Sequence, residues 1–209
     1  MTWGPEPERS RPDRSHRIGI FGGTFDPPHV GHTRVAADVA DFLGLERVLW
    51  IPAGEPPHKP SGRVSPAAAR LEMVRAAVRA DRRFEACTLE YDRPGPSFTV
   101  DTLETLRRAM PETDLVLIVG ADQFADLGAW RDPERILALA TLAVMDRDGA
   151  SARMAPPELA GAERARTVPV RRVDVSSTRI RQLVREGRDV SGLVPPGVLD
   201  IIEREGLYR

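Results

Sequence analysis

The sequence predicts an α/β protein with a Rossmann-like, doubly wound and mainly parallel sheet and helices on both faces. Short apolar runs, of which Asp114–Gly120 is the clearest, recur along the chain and alternate with segments of helical periodicity. Between its ends the Asp114–Gly120 run is unbroken by polar residues, which is typical of a strand buried on both faces. Near the start, a strand, a helix and a second strand follow closely on one another, which favours a right-handed βαβ unit and ligands at the carboxyl edge of the sheet.

Length and composition indicate one globular domain. The chain has 209 residues, of which 41% are hydrophobic and 29% charged, so one sizeable core is expected, over residues 17–209. Residues 1–16 mix proline, arginine and acidic residues without periodicity, and we expect a disordered tail there. The net charge is -1 despite 30 basic residues, so we expect no nucleic-acid partner and no attraction to an anionic membrane.

The single cysteine, Cys87, excludes an intramolecular disulfide and favours a reducing cytoplasm. It lies in a strand-like segment, where a small buried core residue is a better interpretation than a nucleophile. We expect no membrane segment and no export, because no apolar run approaches 18 residues and the N-terminus has no hydrophobic signal core.

The expected elements follow from apolar spacing and from helix start and stop signals. In chain order they are a strand at Ile18–Phe21, a helix from near Gly31 to Gly44, a strand at Arg47–Pro52, a helix started by Ser65 and Pro66, a strand at Phe84–Leu89, a helix from Ser97 or Thr99, strands at Asp114–Gly120, Ala138–Met145 and Thr167–Val170, a helix from Ser176–Thr178 and a last helix from Val194–Gly197.

The turn after the first strand is the main candidate site. Gly22 and Gly23 let the backbone approach a ligand closely, beside the N-terminus of the next helix, and such a crevice favours an anion. The amides expected to point into it are those of Gly23, Thr24 and Phe25. A glycine pair alone is weak evidence, since most such turns merely connect elements.

Two histidines stand at the start of that helix. His29 and His32 are three residues apart, so both imidazoles can reach one group, and a phosphate that gains charge during a reaction suits them. A metal is the alternative ligand. One cysteine in the chain and no third ligand at a suitable spacing argue against it, so we expect no metal site built from protein ligands.

A second anion site is predicted late in the chain. Ser176, Ser177 and Thr178 stand at a helix start beside Arg179, whose guanidinium can grip a phosphate through two bonds. Capping explains one hydroxyl but not the whole set. Of the nearby arginines we favour Arg179 for the phosphate and keep Arg181 open.

Other candidates lie in loops and at strand ends. Lys59, in a proline-rich loop, is a candidate phosphate ligand or an ordinary solvated lysine. Asp122 follows the clearest strand, within reach of a ribose hydroxyl or a metal-bound phosphate. Thr99 stands at a helix start and is a ligand contact or merely a cap. Trp130 can stack on a flat heterocycle or pack in the core.

These residues resemble the HxGH nucleotidylyltransferase superfamily, in the form found in bacterial nicotinate mononucleotide adenylyltransferases. Five motifs in family order carry the resemblance over most of residues 17–207: Gly22–His32, Pro56–Lys59, Ser97–Leu103, Gly120–Trp130 and Ser176–Arg181. The sequence departs from the family pattern at one position, where Phe98 replaces the usual tyrosine.

The resemblance implies transfer of AMP from ATP to nicotinate mononucleotide, with release of pyrophosphate and a magnesium ion held mainly by ATP. The catalytic residues would be His29, His32, Lys59 and Arg179. ATP would contact Gly22, Gly23, Thr24, Phe25, His29, His32, Gly120, Asp122, Ser177, Thr178 and Arg179. The acceptor would contact Thr24, Lys59, Thr99, Trp130 and Arg131. The resemblance leaves open whether the chain forms a homo-oligomer.

Two rival functions are weighed. The same chemistry could act on nicotinamide mononucleotide or on phosphopantetheine. Relatives acting on phosphopantetheine usually have a shorter chain and a threonine at the position of His29. A nucleotide-sensing module that binds without reacting belongs to another class. His29, His32 and Arg179 argue against it, and pyrophosphate release separates the two.

Overall fold

The protein is built on one parallel sheet, which confirms the predicted fold class. The computed structural model describes residues 16–56, 64–146 and 158–209, and in these residues six strands form the sheet. The strands are β1 (Arg17–Gly23), β2 (Arg47–Pro52), β3 (Phe84–Ala86), β4 (Asp114–Gly120), β5 (Thr141–Asp146) and β6 (Arg166–Pro169). Their spatial order is β3-β2-β1-β4-β5-β6, and each neighbouring pair is parallel.

Helices connect the strands. Within the same ranges they are α1 (Val30–Leu43), α2 (Ala67–Ala77), α3 (Thr99–Ala109), α4 (Ala121–Ala125), α5 (Pro133–Leu139), α6 (Ser177–Arg185) and α7 (Pro196–Arg204). As predicted, α1 ends at Gly44, whose φ of 64° is the left-handed conformation that glycine adopts without strain. No helix in this part of the chain is long and apolar enough to cross a membrane.

Alternate residues of the four inner strands, β1, β2, β4 and β5, lie in two separate cores, because successive side chains point to opposite faces of a sheet. On one face, Phe21 and Trp50 pack with α1, α2, α6 and α7. On the other, Ile20 and Ile51 pack with α3, α4 and α5. Both faces are therefore covered, and the strands read as continuous apolar runs for that reason.

One strand begins later than expected. The predicted strand from Ala138 starts only at Thr141, because Leu139 still belongs to α5 and Ala140 ends that helix. Periodicity alone did not separate the last helical turn from the strand, since both are apolar and buried.

The boundaries around β3 and α2 also differ. β3 stops at Ala86 rather than Leu89, and Cys87 is half-buried after it, where desolvation raises the pKa of its thiol. α2 begins at Ala67, and Ser65 does not cap it. The backbone N–H of Ser65 is instead 3.2 Å from a carboxylate oxygen of Asp26, a contact that local sequence cannot reveal.

The strand order places a crevice at the carboxyl ends of β1 and β4. These two strands are neighbours in the middle of the sheet. The chain leaves β1 through α1 on one face and leaves β4 through α4 and α5 on the other. Ligands of doubly wound sheets bind at such a reversal point. The candidate residues after both strands therefore belong to one region.

Candidate active site

Two cavities open on either side of the Gly22–Gly23 turn. One has a volume of about 480 Å³ and is lined by His29 and His32. The other, of about 660 Å³, is lined by Trp130. Both walls include Gly22, Gly23, Asp122 and Gln123. Two ligands can therefore occupy the two cavities and meet at the glycine turn.

The two histidines pair with each other at the start of α1. The backbone N–H of His29 donates to Nδ1 of His32 at 3.1 Å, and the backbone N–H of His32 donates to Nδ1 of His29 at 3.3 Å. The rings stack with their centroids 3.6 Å apart. His29 is buried, and both imidazoles line the smaller cavity.

This pairing sets the tautomer of both rings. A neutral imidazole has one acceptor nitrogen, and in each ring Nδ1 already accepts a backbone N–H. Each ring therefore carries its proton on Nε2. Two Nε2–H donors on residues that line one cavity are suited to stabilising the charge of an anion.

An aromatic cluster packs against the ring of His32. Its ring makes edge contacts with Phe25 and Trp50, at centroid distances of 5.2 and 6.4 Å. The rings of Phe25 and Trp50 stack at 5.2 Å. The half-buried His32 ring, packed in this way, loses rotamer freedom, so the imidazole is held in one orientation.

At two positions in the site, neighbouring side chains lie too close to the backbone for any residue larger than glycine. A Cβ on Gly23 would stand 3.0 Å from the ring of Phe25, which turns back over the glycine with a φ of 50°. A Cβ on Gly31 would stand 2.9 Å from the Val175 side chain and 3.0 Å from Nδ1 of His29. The second contact is informative because Val175 directly precedes Ser176, the N-cap residue of α6.

The N-terminus of α6 is bonded to the turn that precedes His29. The hydroxyl of Ser177 donates to the carbonyl of Pro27 at 2.8 Å. The guanidinium of Arg181 donates to the carbonyl of Asp26 at 2.8 Å. The two predicted anion sites, more than 140 residues apart in sequence, are thus neighbours in the structure.

The side chains at the start of α6 already have protein partners. The Ser176 hydroxyl caps the helix by accepting from the N–H of Arg179, and the Thr178 hydroxyl accepts from Arg181 at 3.3 Å. Arg179 is exposed and donates to Gln182 at 3.1 Å.

The two late arginines lie on different sides of α6. Arg181 lies on the side that faces His29, since it reaches the carbonyl of Asp26 in the turn before that histidine. The geometry favours Arg181 over Arg179 as the cation nearer the histidines.

The larger cavity contains the predicted aromatic platform. Trp130 is half-buried; it packs against the second core and also lines the cavity. The guanidinium of Arg131 lies 4.8 Å from the centre of the Phe98 ring and 3.4 Å from Asp101. The two interpretations of Trp130 are therefore compatible.

The start of α3 forms another wall of this cavity. Phe98 is the N-cap residue and Thr99 the first helical residue, and no side chain caps the first turn. The backbone N–H groups there lack a side-chain acceptor, so they can bind a carboxylate. Thr99 lines the cavity and is not a capping threonine.

An acidic side chain that the sequence analysis missed also lines this cavity. Glu90 is buried and accepts from the Thr102 hydroxyl at 2.6 Å. Burial raises the pKa of its carboxyl above the ordinary value, while the Thr102 bond and the charge of Arg93 act in the opposite direction. The larger cavity is thus lined by a carboxyl group whose ionisation is disfavoured by burial.

The burial of Glu90 gives a pH-dependent stability prediction. A carboxyl whose pKa is raised in the folded state stabilises that state below its unfolded pKa, and this contribution is lost as the pH rises through the folded pKa. Glu90→Gln, measured by thermal unfolding, is therefore expected to raise Tm at pH 8 by about 2–4 °C, the shift that 1 kcal/mol gives in a chain of this size. Near pH 4 the gain should vanish. The exposed Glu112→Gln is the control, and an equal Tm gain at both pH values would contradict the prediction.

A buried arginine supports the turn between the cavities. Arg70, on α2, is 2% exposed. Its guanidinium donates to the carbonyls of Thr24, Ala53, Gly54 and Ser65 at 2.6–3.1 Å. Burial lowers its pKa and nearby Asp26 raises it. The sequence shows Arg70 only as one of two arginines on a predicted helix, with no signal for this role.

The remaining predicted residues lie as follows. Asp122 stands at the carboxyl edge of β4 and lines both cavities. Gly120 ends β4 and lines the smaller cavity, together with Asp146 at the end of β5. Lys59 lies outside the described residues. Asp146 could have been noticed as an acid ending an apolar strand, as Asp122 was.

The chain is similar to known proteins over most of its length. A family model described as cytidylyltransferase-like matches residues 20–183. A Thermus thermophilus protein named "probable nicotinate-nucleotide adenylyltransferase" is 46% identical over 195 residues, which cover 92% of this chain and 100% of that protein. A Rubrobacter xylanophilus protein of the same name is 44% identical and covers 92% of both chains.

A solved structure shares the fold. It is a Plasmodium falciparum nicotinic acid mononucleotide adenylyltransferase complexed with NaAD, with a TM-score of 0.74. The match covers 92% of this chain and 97% of that one, at 17% identity. At that identity the likeness supports the fold alone.

Proposed function

Because the chain belongs to the cytidylyltransferase-like family, within the nicotinate-nucleotide adenylyltransferases, we propose that it joins ATP to nicotinate mononucleotide. The products are nicotinate adenine dinucleotide and pyrophosphate, and the reaction belongs to NAD biosynthesis. We assign it to one domain, residues 17–209, because both cores share one sheet.

The observation that carries the proposal is the convergence of α1 and α6. The histidine pair, the turn before it and the start of α6 are joined by the bonds of Ser177 and Arg181. Imidazole N–H donors at the cavity, with a helix N-terminus and a guanidinium bonded to the adjoining Asp26–Pro27 turn, suit a polyphosphate. We assign the ATP phosphates to the cavity lined by His29 and His32.

The reaction needs no protein nucleophile. The 5′-phosphate of the acceptor attacks the α-phosphorus of ATP in line, a new P–O bond forms, and the bond to the β-phosphate oxygen breaks with its electrons leaving on pyrophosphate. The protein contributes position and charge stabilisation. Nε2–H of His29 and of His32 would donate to phosphate oxygens near the α-phosphorus, where negative charge develops.

Cations would bind the departing pyrophosphate. We assign this role to Arg181, because its guanidinium lies on the histidine side of α6, and keep Arg179 for the outer phosphates. Lys59 remains proposed from sequence for the same group. The amides of Ser177 and Thr178, in the first turn of α6, would bind phosphate in place of their hydroxyls, both of which are already bonded to protein.

Magnesium fits the smaller cavity as an ion carried by ATP. Among the described residues no group of three or more histidine, cysteine or acidic side chains could hold a metal. Asp122 and Asp146 line the cavity, and one or two carboxylates with substrate phosphates are the ligands magnesium usually takes. When bound, the ion neutralises charge on the phosphates. The two carboxylates would orient its water ligands.

The acceptor would occupy the larger cavity. Trp130 would stack on its pyridine ring, and the backbone amides at Thr99 and Arg131 would bind the nicotinate carboxylate. Thr24, in the wall of the same cavity, would contact the acceptor near the glycine turn.

The function is tested by comparing both mononucleotides in one assay. Nicotinate mononucleotide and nicotinamide mononucleotide are each supplied with ATP and magnesium, and dinucleotide and pyrophosphate are measured together. With either acceptor we expect one pyrophosphate released for each dinucleotide formed. We expect kcat/KM to be higher for nicotinate mononucleotide than for nicotinamide mononucleotide. Binding of ATP without pyrophosphate release from either acceptor would instead support a nucleotide-sensing module.

Replacement of Trp130 tests the acceptor assignment. Trp130→Ala removes the stacking surface, so KM for the mononucleotide should rise about tenfold, corresponding to the upper part of the range for an aromatic pair. KM for ATP should change little, because the indole does not line the histidine cavity. Steady-state kinetics with each substrate varied in turn gives both values. Equal losses for the two substrates would remove the assignment.

A further inference from the structure

The segment after α7 returns to the active-site turn. The chain passes through Gly206 and Tyr208, both with positive φ, and the N–H of Leu207 donates to the carbonyl of Ile202 at 3.0 Å. This path carries the half-buried Tyr208 ring towards the core. Its hydroxyl donates to a carboxylate oxygen of Asp26 at 2.7 Å.

Asp26 joins this segment to the catalytic turn. It is 3% exposed and stands three residues before His29. Its second carboxylate oxygen accepts the N–H of Ser65 at 3.2 Å, and its backbone carbonyl accepts from Arg181 at 2.8 Å. One residue therefore receives bonds from α6, from the residue Ser65 ahead of α2 and from the segment after α7.

The Tyr208–Asp26 bond is between a half-buried donor and a buried acceptor. Burial and the adjacent Asp26 both raise the pKa of the Tyr208 hydroxyl, so it keeps its proton and donates. A carboxylate that loses one of its donors in such surroundings either moves towards another or draws in water. Either response would shift the backbone of the turn that precedes His29.

We propose that Tyr208 is a positioning residue for the reaction. Its hydroxyl holds the Asp26 carboxylate, and Asp26 in turn fixes the turn on which the Nε2 donors of His29 and His32 depend. The inference rests on the proposed function and adds to it a residue that touches neither substrate cavity. Small displacements of catalytic donors reduce turnover more than they reduce ground-state binding.

If Tyr208 had only a structural role, its variants would behave differently. Tyr208 also packs against the first core and lies 3.9 Å from the sulfur of Met73. If packing were its whole contribution, Tyr208→Phe, which keeps the ring, would leave turnover unchanged. If the hydroxyl served stability alone, Tm would fall while kcat of the folded enzyme stayed the same.

The test measures kcat and KM for both substrates, with Tm, in the wild type and in Tyr208→Phe. The only other tyrosine, the exposed Tyr91, supplies the matched control Tyr91→Phe. We expect Tyr208→Phe to lower kcat about tenfold and to leave both KM values nearly unchanged. Tyr91→Phe should match the wild type. A second pair of variants compares Asp26→Ala with and without Tyr208→Phe, and the tyrosine change should have no further effect there.

The outcomes are distinct. A folded Tyr208→Phe enzyme with wild-type kcat would overturn the inference, as would a fall in kcat that is equally large in the Asp26→Ala background. A fall in Tm at constant kcat would assign the hydroxyl to stability alone and overturn it too. A wild-type protein that releases no pyrophosphate would contradict the proposed function itself, before any variant is compared.

Discussion

His32→Ala is expected to lower kcat by about 10²–10³-fold, the usual loss when one donor to a developing charge is removed. The variant loses the Nε2–H that the backbone-bonded tautomer directs to phosphate. It also removes the Nδ1 that accepts the N–H of His29, so the partner ring loses part of its support. Pyrophosphate release at saturating concentrations of both substrates measures the effect.

His16→Ala is the matched control for this change. His16 is exposed, and its ring lies 3.0 Å from Glu46, a surface pair whose loss should barely alter turnover. Circular dichroism and Tm show whether His32→Ala remains folded. A folded His32→Ala enzyme with near-normal kcat would contradict the role given to the histidine pair.

Arg70→Met is expected to have the largest effect on stability. Its guanidinium bonds to four carbonyls, and methionine fills similar space without donating. Each buried carbonyl left without a donor costs about 1–3 kcal/mol, which relaxation and water reduce in part. We expect the free energy of unfolding to fall by about 3 kcal/mol, measured by urea denaturation.

The control for this prediction lies on the same helix. Arg75 is exposed on α2, so Arg75→Met changes charge and helix propensity equally without unpairing buried carbonyls. Its free energy of unfolding should stay within about 0.5 kcal/mol of the wild type. Similar losses in both variants would show that the four bonds of Arg70 contribute little.

The sequence predicted the sheet because its four inner strands are apolar on both faces. The edge strands β3 and β6 are short and mixed in polarity, and the glycine at 44 ended α1 as expected. The errors lie at boundaries. At Ala138 a buried helix end and a buried strand have the same composition, and at Ser65 a tertiary bond to Asp26 took the place of a cap.

The site was predictable wherever a local motif concentrates chemistry. The histidine pair, Asp122 and Trp130 are adjacent to glycines or strand ends, and the structure brings them to the two cavities. Arg70 and Tyr208 gave no local signal, because their partners are distant in sequence. The bond from Tyr208 to Asp26 spans 182 residues.

The choice between the two late arginines shows the same limit. Arg179 is closer to the helix cap in sequence, but residues two apart on a helix point to different faces. The structure places Arg181 against the Asp26 carbonyl and Arg179 against Gln182. Only the packing of α6 onto the turn before His29 distinguishes them.

The central claim is that α1 and α6 together bind one triphosphate. A crystal structure with a non-hydrolysable ATP analogue and magnesium tests it most directly. We predict phosphate oxygens within hydrogen-bond distance of Nε2 of His29 or His32 and of the first-turn amides of α6, in the same complex. An analogue whose phosphates lie in the cavity lined by Trp130, away from both helices, would contradict the account.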